Sequence, residues 1–143
     1  MKNLIFIKAI FLLVLLSLSA CKDNSNSPSD TMTINQNITA GNWIITYYWD
    51  DDKDETSDYS GYEFKFDANG QAVVLGNSTT ITGTWSSGTD DSQLKLYLIF
   101  ASPKLFEDIS DDWHIIEQSS TKIRLGDESG GDGSTDYLTF ERK

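Results

Sequence analysis

The sequence predicts an all-β domain: a small antiparallel up-and-down barrel of about eight strands with one short helix, preceded by a signal peptide and a disordered tether. Three observations support this prediction. Apolar residues recur at every second position in several short runs, and glycine, Asn, Asp or Ser residues separate the runs. The intervals are too short for the crossover helices that parallel strands require. A meander of this length leaves exposed edges unless it closes on itself.

Residues 1–20 have the organisation of a secretory signal peptide. Lys2 and Lys8 accompany an apolar run over residues 4–18, which contains no acidic residue and is followed by small residues. The run is shorter than the ~20 apolar residues that a membrane-spanning helix needs. It ends at Leu18-Ser19-Ala20-Cys21, so we expect cleavage before the cysteine.

Cys21 is the only cysteine of the chain, which excludes an intramolecular disulfide. The four residues that end at Cys21 resemble the lipobox of bacterial lipoprotein signals, in which the cysteine is acylated and becomes the first residue. The resemblance implies that the membrane is a partner, reached through lipid on Cys21. Lys22 follows where an Asp would favour the inner membrane. We therefore expect an outer-membrane lipoprotein of the cell envelope that faces either the periplasm or the cell surface.

A flexible tether is predicted between the cysteine and the domain. Residues 21–38 are polar after the cysteine and show no hydrophobic period. A flexible segment of this length gives the domain a reach of roughly 20–25 Å, from about 5–6 Å × √n. The β domain is predicted over residues 39–143.

The first half of the domain contains five strand patterns in succession. Residues 62–66 alternate aromatic and charged side chains, Asp67-Ala68-Asn69-Gly70 supplies a turn, and residues 71–75 resume a strand, which predicts a hairpin. Residues 81–85 and 94–100 continue the period of two. The strand that precedes them is expected to place four residues on one face: Trp43, Ile45, Tyr47 and Trp49.

A short helix interrupts the strand pattern in the second half. Ser102-Pro103 can begin a helix, and Leu105, Phe106 and Ile109 recur at helical spacing before an acidic pair. Strands are predicted again over residues 113–118, 121–125 and 136–142, with a glycine-rich loop joining the last two.

Several short motifs carry a family resemblance over nearly all of residues 40–143. They are Gly41-Asn42-Trp43, Gly61-Tyr62-Glu63-Phe64-Lys65-Phe66 with Asn69-Gly70, Gly83-Thr84-Trp85, Asp112-Trp113 and Leu138-Thr139-Phe140-Glu141-Arg142. The domain thereby resembles the lipocalin-like small lipoproteins of Gram-negative bacteria. The Gly-x-Trp start is shared with true lipocalins, where the Trp plugs the barrel base. The resemblance implies a small barrel with room for an apolar ligand, in a family whose members mostly have no assigned activity.

Composition limits the classes of partner. The chain has 22 acidic and 11 basic residues, a formal net charge of −11. Such an acidic surface repels nucleic acid phosphates and anionic lipid headgroups, so we expect neither as a partner. His114 is the only histidine, and one histidine without a thiolate forms no zinc set. We expect no cofactor and no enzymatic activity.

The acidic run after residue 49 offers a weak alternative, a calcium site at Asp50, Asp52 and Asp54. Glu55 occupies the position where an EF-hand loop needs glycine, so an EF-hand is excluded. A solvated loop between two strands is the favoured interpretation, and the prediction is that the chain binds no metal.

Aromatic residues near the barrel rim are the predicted ligand-binding residues: Trp49, Tyr47, Trp113 and Tyr97. Trp43 and Trp85 are expected in the core. The leading hypothesis is a lipid-anchored extracytoplasmic binding module for a small apolar or amphipathic ligand. The alternative is a non-catalytic structural or interaction lipoprotein with a filled barrel, acting as an outer-membrane accessory protein. A sizeable internal cavity favours the first hypothesis, and a filled interior favours the second.

Overall fold

The computed structural model describes residues 28–76, 78–128 and 133–143. The predicted signal peptide, Cys21 and residues 129–132 of the predicted glycine-rich loop lie outside these residues. The elements in chain order are α1 (Pro28–Thr39), β1 (Asn42–Asp50), β2 (Lys53–Asp54), a 3-10 turn (Thr56–Tyr59), β3 (Glu63–Phe66), β4 (Gln71–Leu75), β5 (Thr80–Asp90), β6 (Gln93–Ile99), α2 (Lys104–Glu107), β7 (Asp112–Gln118), β8 (Lys122–Glu128) and β9 (Thr135–Arg142).

Eight of the strands form a closed antiparallel barrel, which confirms the predicted fold class. From β3 to β9 each strand pairs with the next in sequence, β1 pairs with β3, and β9 returns to pair with β1. β2 is an additional two-residue strand that folds back on the end of β1. Because the sheet closes, only the short β2 is left at an edge.

β1 changes phase halfway along, which makes its predicted common face wrong for the second half. Trp43 and Ile45 are buried, but the register with β9 shifts between Ile45 and Tyr47. An extra residue in one strand moves every later side chain to the opposite face. Tyr48 therefore points into the barrel and is 1% exposed, whereas Tyr47 and Trp49 lie on the outer wall.

Side chains fill the barrel interior. The Phe64 ring lies edge-on to three other buried rings, with centroid distances of 6.5 Å to Phe100, 6.0 Å to Phe106 and 5.2 Å to Phe140. Leucines of β6 and isoleucines of β7 and β8 complete the core. None of the grooves described below is lined by Phe64 or by the rings that surround it.

Helix α1 closes one end of the barrel, so the predicted tether was wrong for residues 28–38. Ile34 and Ile38 share a helix face and are completely buried. The Trp43 indole Nε1 donates a hydrogen bond to the Ile38 carbonyl at 2.8 Å. Arg142 lies 5.3 Å from the Trp43 ring centroid and donates to the Asn37 carbonyl at 3.1 Å. These contacts join α1 to the first and last strands.

The 3-10 turn and the α2 segment close the opposite end. The Tyr59 hydroxyl donates to the Leu105 carbonyl at 2.7 Å, and the Tyr48 hydroxyl donates to the Asp108 carbonyl at 2.8 Å. Phe106, on α2, is completely buried beneath them. The predicted short helix is therefore present, and it covers the barrel end. Within the described ranges, neither helix has the length and apolar character needed to span a bilayer.

Candidate functional site

The four predicted ligand-binding residues do not form one site. Trp113 is 1% exposed, and its indole Nε1 donates to the Ile109 carbonyl at 3.0 Å, so it belongs to the core. Tyr47 and Trp49 lie on the outer face of β1, and Tyr97 lies on the outer face of β6. Three strands separate β1 from β6 in either direction around the barrel, which puts these aromatic side chains on opposite sides.

The weak calcium alternative is not supported by the placement of its residues. Asp51 and Asp52 form the two-residue turn between β1 and β2, with φ of 46° and 61°. The Asp54 carboxylate accepts a hydrogen bond from the Thr56 backbone N–H at 3.0 Å, and bonds to Thr56 lower the pKa of Asp54. Burial raises the pKa of Asp50. The run is thus a turn followed by the 3-10 segment.

A different acidic trio does converge within the described part of the chain. The carboxylates of Asp111, Asp112 and Asp127 have oxygens within 4.8 Å of one another. Lys95 lies 3.2 Å from Asp112 and provides a counter-charge. Burial raises the pKa of Asp111 and of Asp127, and the Asp112 carboxylate raises that of Asp127 further. Burial opposes ionisation of Asp112 as well, but its hydrogen bonds with Lys95 and Asp111 and the positive charge of Lys95 together outweigh burial and lower the pKa of Asp112.

A groove of about 370 Å³ crosses the outer wall next to this trio. We call it the wall groove. Its floor is Gly126 of β8, which pairs with His114 of β7 on one side and with Tyr137 of β9 on the other. On β6, Lys95 pairs with His114 and continues the row. The missing side chain at Gly126 creates the depression, since a Cβ there would lie 2.8 Å from the Ile116 Cδ1. His114 is half-buried on the outer wall, because its neighbours Trp113 and Ile115 point into the core.

A larger groove of about 550 Å³ lies between β1 and β3, the two barrel strands that share the fewest paired residues. We call it the seam groove. β1 and β3 pair only at Asn42↔Lys65 and Trp43↔Phe64, after which the strands separate. The 3-10 turn fills the gap, held by hydrogen bonds from the Tyr48 backbone N–H to the Thr56 hydroxyl and from the Glu55 N–H to the Tyr48 carbonyl.

The seam groove combines an apolar floor with polar walls. Ile45 and Tyr59 are buried and line its floor, whereas Ser57, Ser60 and Glu63 line its sides. Burial raises the pKa of Tyr59, so its hydroxyl remains a hydrogen-bond donor at all ordinary pH values. Sequence reasoning missed this groove because it depends on how far β1 and β3 pair. The only local signal was the Asp54 side chain two residues before Thr56, a turn-forming arrangement.

The fold and the grooves define a class: a small, closed, eight-stranded antiparallel barrel of the lipocalin-like kind, with a packed interior and polar surface grooves. The chain matches no family model and no curated protein. Among solved structures, it is similar to the crystal structure of a DUF4847 family protein from Bacteroides vulgatus, with a TM-score of 0.52 and 14% identity. The match covers 77% of this chain and 97% of that one. At this identity the likeness shows the shared fold, and that family's designation marks its function as unknown.

Proposed function

We propose that this chain is a lipid-anchored, non-catalytic interaction protein of the bacterial cell envelope, with a barrel that serves as a rigid filled scaffold. The observation that carries the proposal is the interior, which is packed with aromatic rings and covered at both ends. Anchoring at Cys21 rests on the apolar run and on Leu18-Ser19-Ala20-Cys21. Lys22 supports the outer membrane as the location.

The charges around the single histidine favour recognition over catalysis. A general base works best when its pKa lies near the working pH, which for lysine means a pKa lowered by burial. Burial does act on Lys95, but the hydrogen bond to Asp112 and the negative charges of Asp112 and Asp127 together outweigh burial and raise the pKa of Lys95. Lys95 is therefore a permanent cation paired with Asp112, which does not suit it to act as a general base.

Native mass spectrometry of the mature chain, residues 22–143, tests the filled barrel. We expect the mass of the polypeptide alone and no uptake of fluorescent lipid probes. A co-purifying small molecule in the barrel would contradict the proposal. For anchoring, we expect Cys21→Ser to remove the acyl mass from the intact protein and to shift the chain from the membrane fraction to the soluble fraction.

In-cell photo-crosslinking tests the interaction role. A photoreactive phenylalanine analogue at Tyr47 probes one side of the barrel, and the same analogue at Tyr97 probes the other. Thr82, exposed on β5, is the control position. We expect one aromatic position to give a discrete protein adduct that is absent from the control. Equal labelling at all three positions would contradict a specific partner surface.

The seam groove supports a second candidate function, binding of a small amphipathic ligand. Its volume lies within the roughly 300–1,000 Å³ range of small-molecule sites, and its buried floor would contact an apolar moiety. Ser60→Trp would fill this groove, and Ser86→Trp, at an exposed position of β5 outside the groove, is the matched control. Probe binding that is lost only in Ser60→Trp would establish this function in place of the first.

A further inference from the structure

The placement of α1 relative to Cys21 determines which end of the barrel is near the membrane. Cys21 and Pro28 are separated by so few residues that the chain between them spans at most about 25 Å, from about 3.3–3.6 Å per residue. The start of α1 is fixed to the barrel, because the Gln118 side chain donates to the Asp30 carbonyl at 3.4 Å and accepts from Asn37 at 3.3 Å. A lipid on Cys21 therefore keeps the α1 end close to the bilayer.

The outer side of α1 carries an uncharged groove of about 470 Å³, which we call the α1 groove. It lies between α1 and the β3–β4 turn. Met32 projects there with 62% of its surface exposed, beside Gln36, Ala68 and the edge of Trp85. All of the lining residues are uncharged, so this surface meets a lipid headgroup layer without an electrostatic penalty.

Charge is distributed unequally between the two barrel ends. At the α1 end, the ion pairs Lys65–Asp67 and Lys122–Glu117 and the base Arg142 offset part of the acidic charge, which includes Asp90 and Asp91 of the β5–β6 turn. The opposite end is strongly acidic, with connected carboxylates: Asp136 accepts from the Asp51 backbone N–H at 3.3 Å and pairs in register with Asp127. We call this end the acidic rim. It comprises eleven acids and the three lysines that pair with some of them: Asp50, Asp51, Asp52, Asp54, Glu55, Asp58, Asp108, Asp111, Asp112, Asp127 and Asp136, with Lys53, Lys95 and Lys104.

We propose that the α1 groove docks on the lipid surface, so that the barrel stands on the membrane with its acidic rim facing away. This inference rests on the lipid anchor of the proposed function. The negative surface potential of anionic lipids acts within a Debye length of roughly 8–10 Å. It repels the acidic rim more strongly than the α1 end, where ion pairs and the uncharged α1 groove reduce the repulsion. The net charge of the whole chain therefore does not prevent contact at this one end.

Depth-dependent fluorescence quenching tests the orientation on the full lipidated chain. Because Cys21 is the only native cysteine, a second cysteine can be labelled selectively once the first is acylated. Met32→Cys and Gln36→Cys report on the α1 groove, and Asp52→Cys reports on the acidic rim. Each variant carries a bimane label and is reconstituted in phosphatidylethanolamine–phosphatidylglycerol vesicles whose lipids bear a headgroup nitroxide.

We expect the labels at positions 32 and 36 to lose most of their fluorescence and the label at position 52 to keep its own. β1 alone extends the barrel by nine residues, or roughly 20 Å along the axis after strand tilt, beyond the range of contact quenching. Quenching at position 52 equal to that at position 32 would overturn the orientation. Vesicle-bound protein with no quenching at any position would overturn docking alone. A chain that carries no acyl mass and does not float with vesicles would overturn the anchor, and docking with it.

Discussion

Removal of the Phe106 ring is the sharpest test of the packed interior. Phe106 is completely buried and has ring-centroid distances of 5.1 Å to Tyr62, 5.8 Å to Phe100 and 6.0 Å to both Tyr59 and Phe64. A buried Phe→Ala substitution lowers the free energy of unfolding by about 3–5 kcal/mol. Because Phe106 contacts four other rings, we expect a loss of about 4 kcal/mol for Phe106→Ala. For a domain of this size, the melting temperature should fall by roughly 15 °C.

Urea and thermal unfolding of Phe106→Ala would measure this loss. Ile99→Ala is the matched control, because Ile99 is 62% exposed and its truncation should change the free energy of unfolding by less than about 0.5 kcal/mol. The new cavity should also bind a small apolar probe that the native chain excludes. A loss below about 1 kcal/mol for Phe106→Ala, or probe binding by the native chain, would refute the account of a packed and plugged barrel.

Two further predictions concern local energetics. Asp52→Gly should raise the free energy of unfolding by about 0.5 kcal/mol. Asp52 has a left-handed backbone conformation that strains a residue with a Cβ, and removal of this strain should exceed the entropic cost of glycine. Equal or lower stability of the variant in urea would contradict this prediction. Asp127→Asn should stabilise the fold at neutral pH, since the folded pKa is raised above 3.8 and the ionised form is disfavoured. That gain should disappear as the pH falls below 3.8. Asp112→Asn should do the opposite, because its lowered pKa contributes stability at neutral pH that is lost on acidification. Urea unfolding curves at neutral pH and below pH 3.8 would measure the change in the free energy of unfolding for both variants. Changes of the same sign at neutral pH would contradict the opposite pKa directions given for Asp127 and Asp112.

Local patterns were enough to predict most strands and the hairpin between β3 and β4. Phe64 and Phe66 alternate with charged residues, so only one phase buries apolar surface. Gly70, with φ of 87°, provides the positive φ that the turn requires. Where alternation is unambiguous, as here and in β6, sequence and structure agree.

The remaining features depend on contacts between distant segments. In β1 both phases are aromatic, so periodicity cannot show where the bulge falls, and the pairing with β9 decides it. Helix α1 has few apolar residues, and its stability comes from packing against Trp43 and Arg142 rather than from its own sequence. The candidate grooves require knowledge of which strands are neighbours and how far they pair, which no single segment encodes.

The pairing of β1 with β9 has a consequence for how the protein is made. These strands lie at opposite ends of the domain sequence, yet they share one of the longest ladders in the barrel. The barrel therefore closes only after the last strand has been synthesised, and the search for such distant contacts slows folding toward the millisecond-to-second range. A chain that folds this late stays unfolded while it leaves the ribosome. Such a delay is compatible with the export that the proposed lipid anchor requires, because a chain crosses a membrane more readily before it folds.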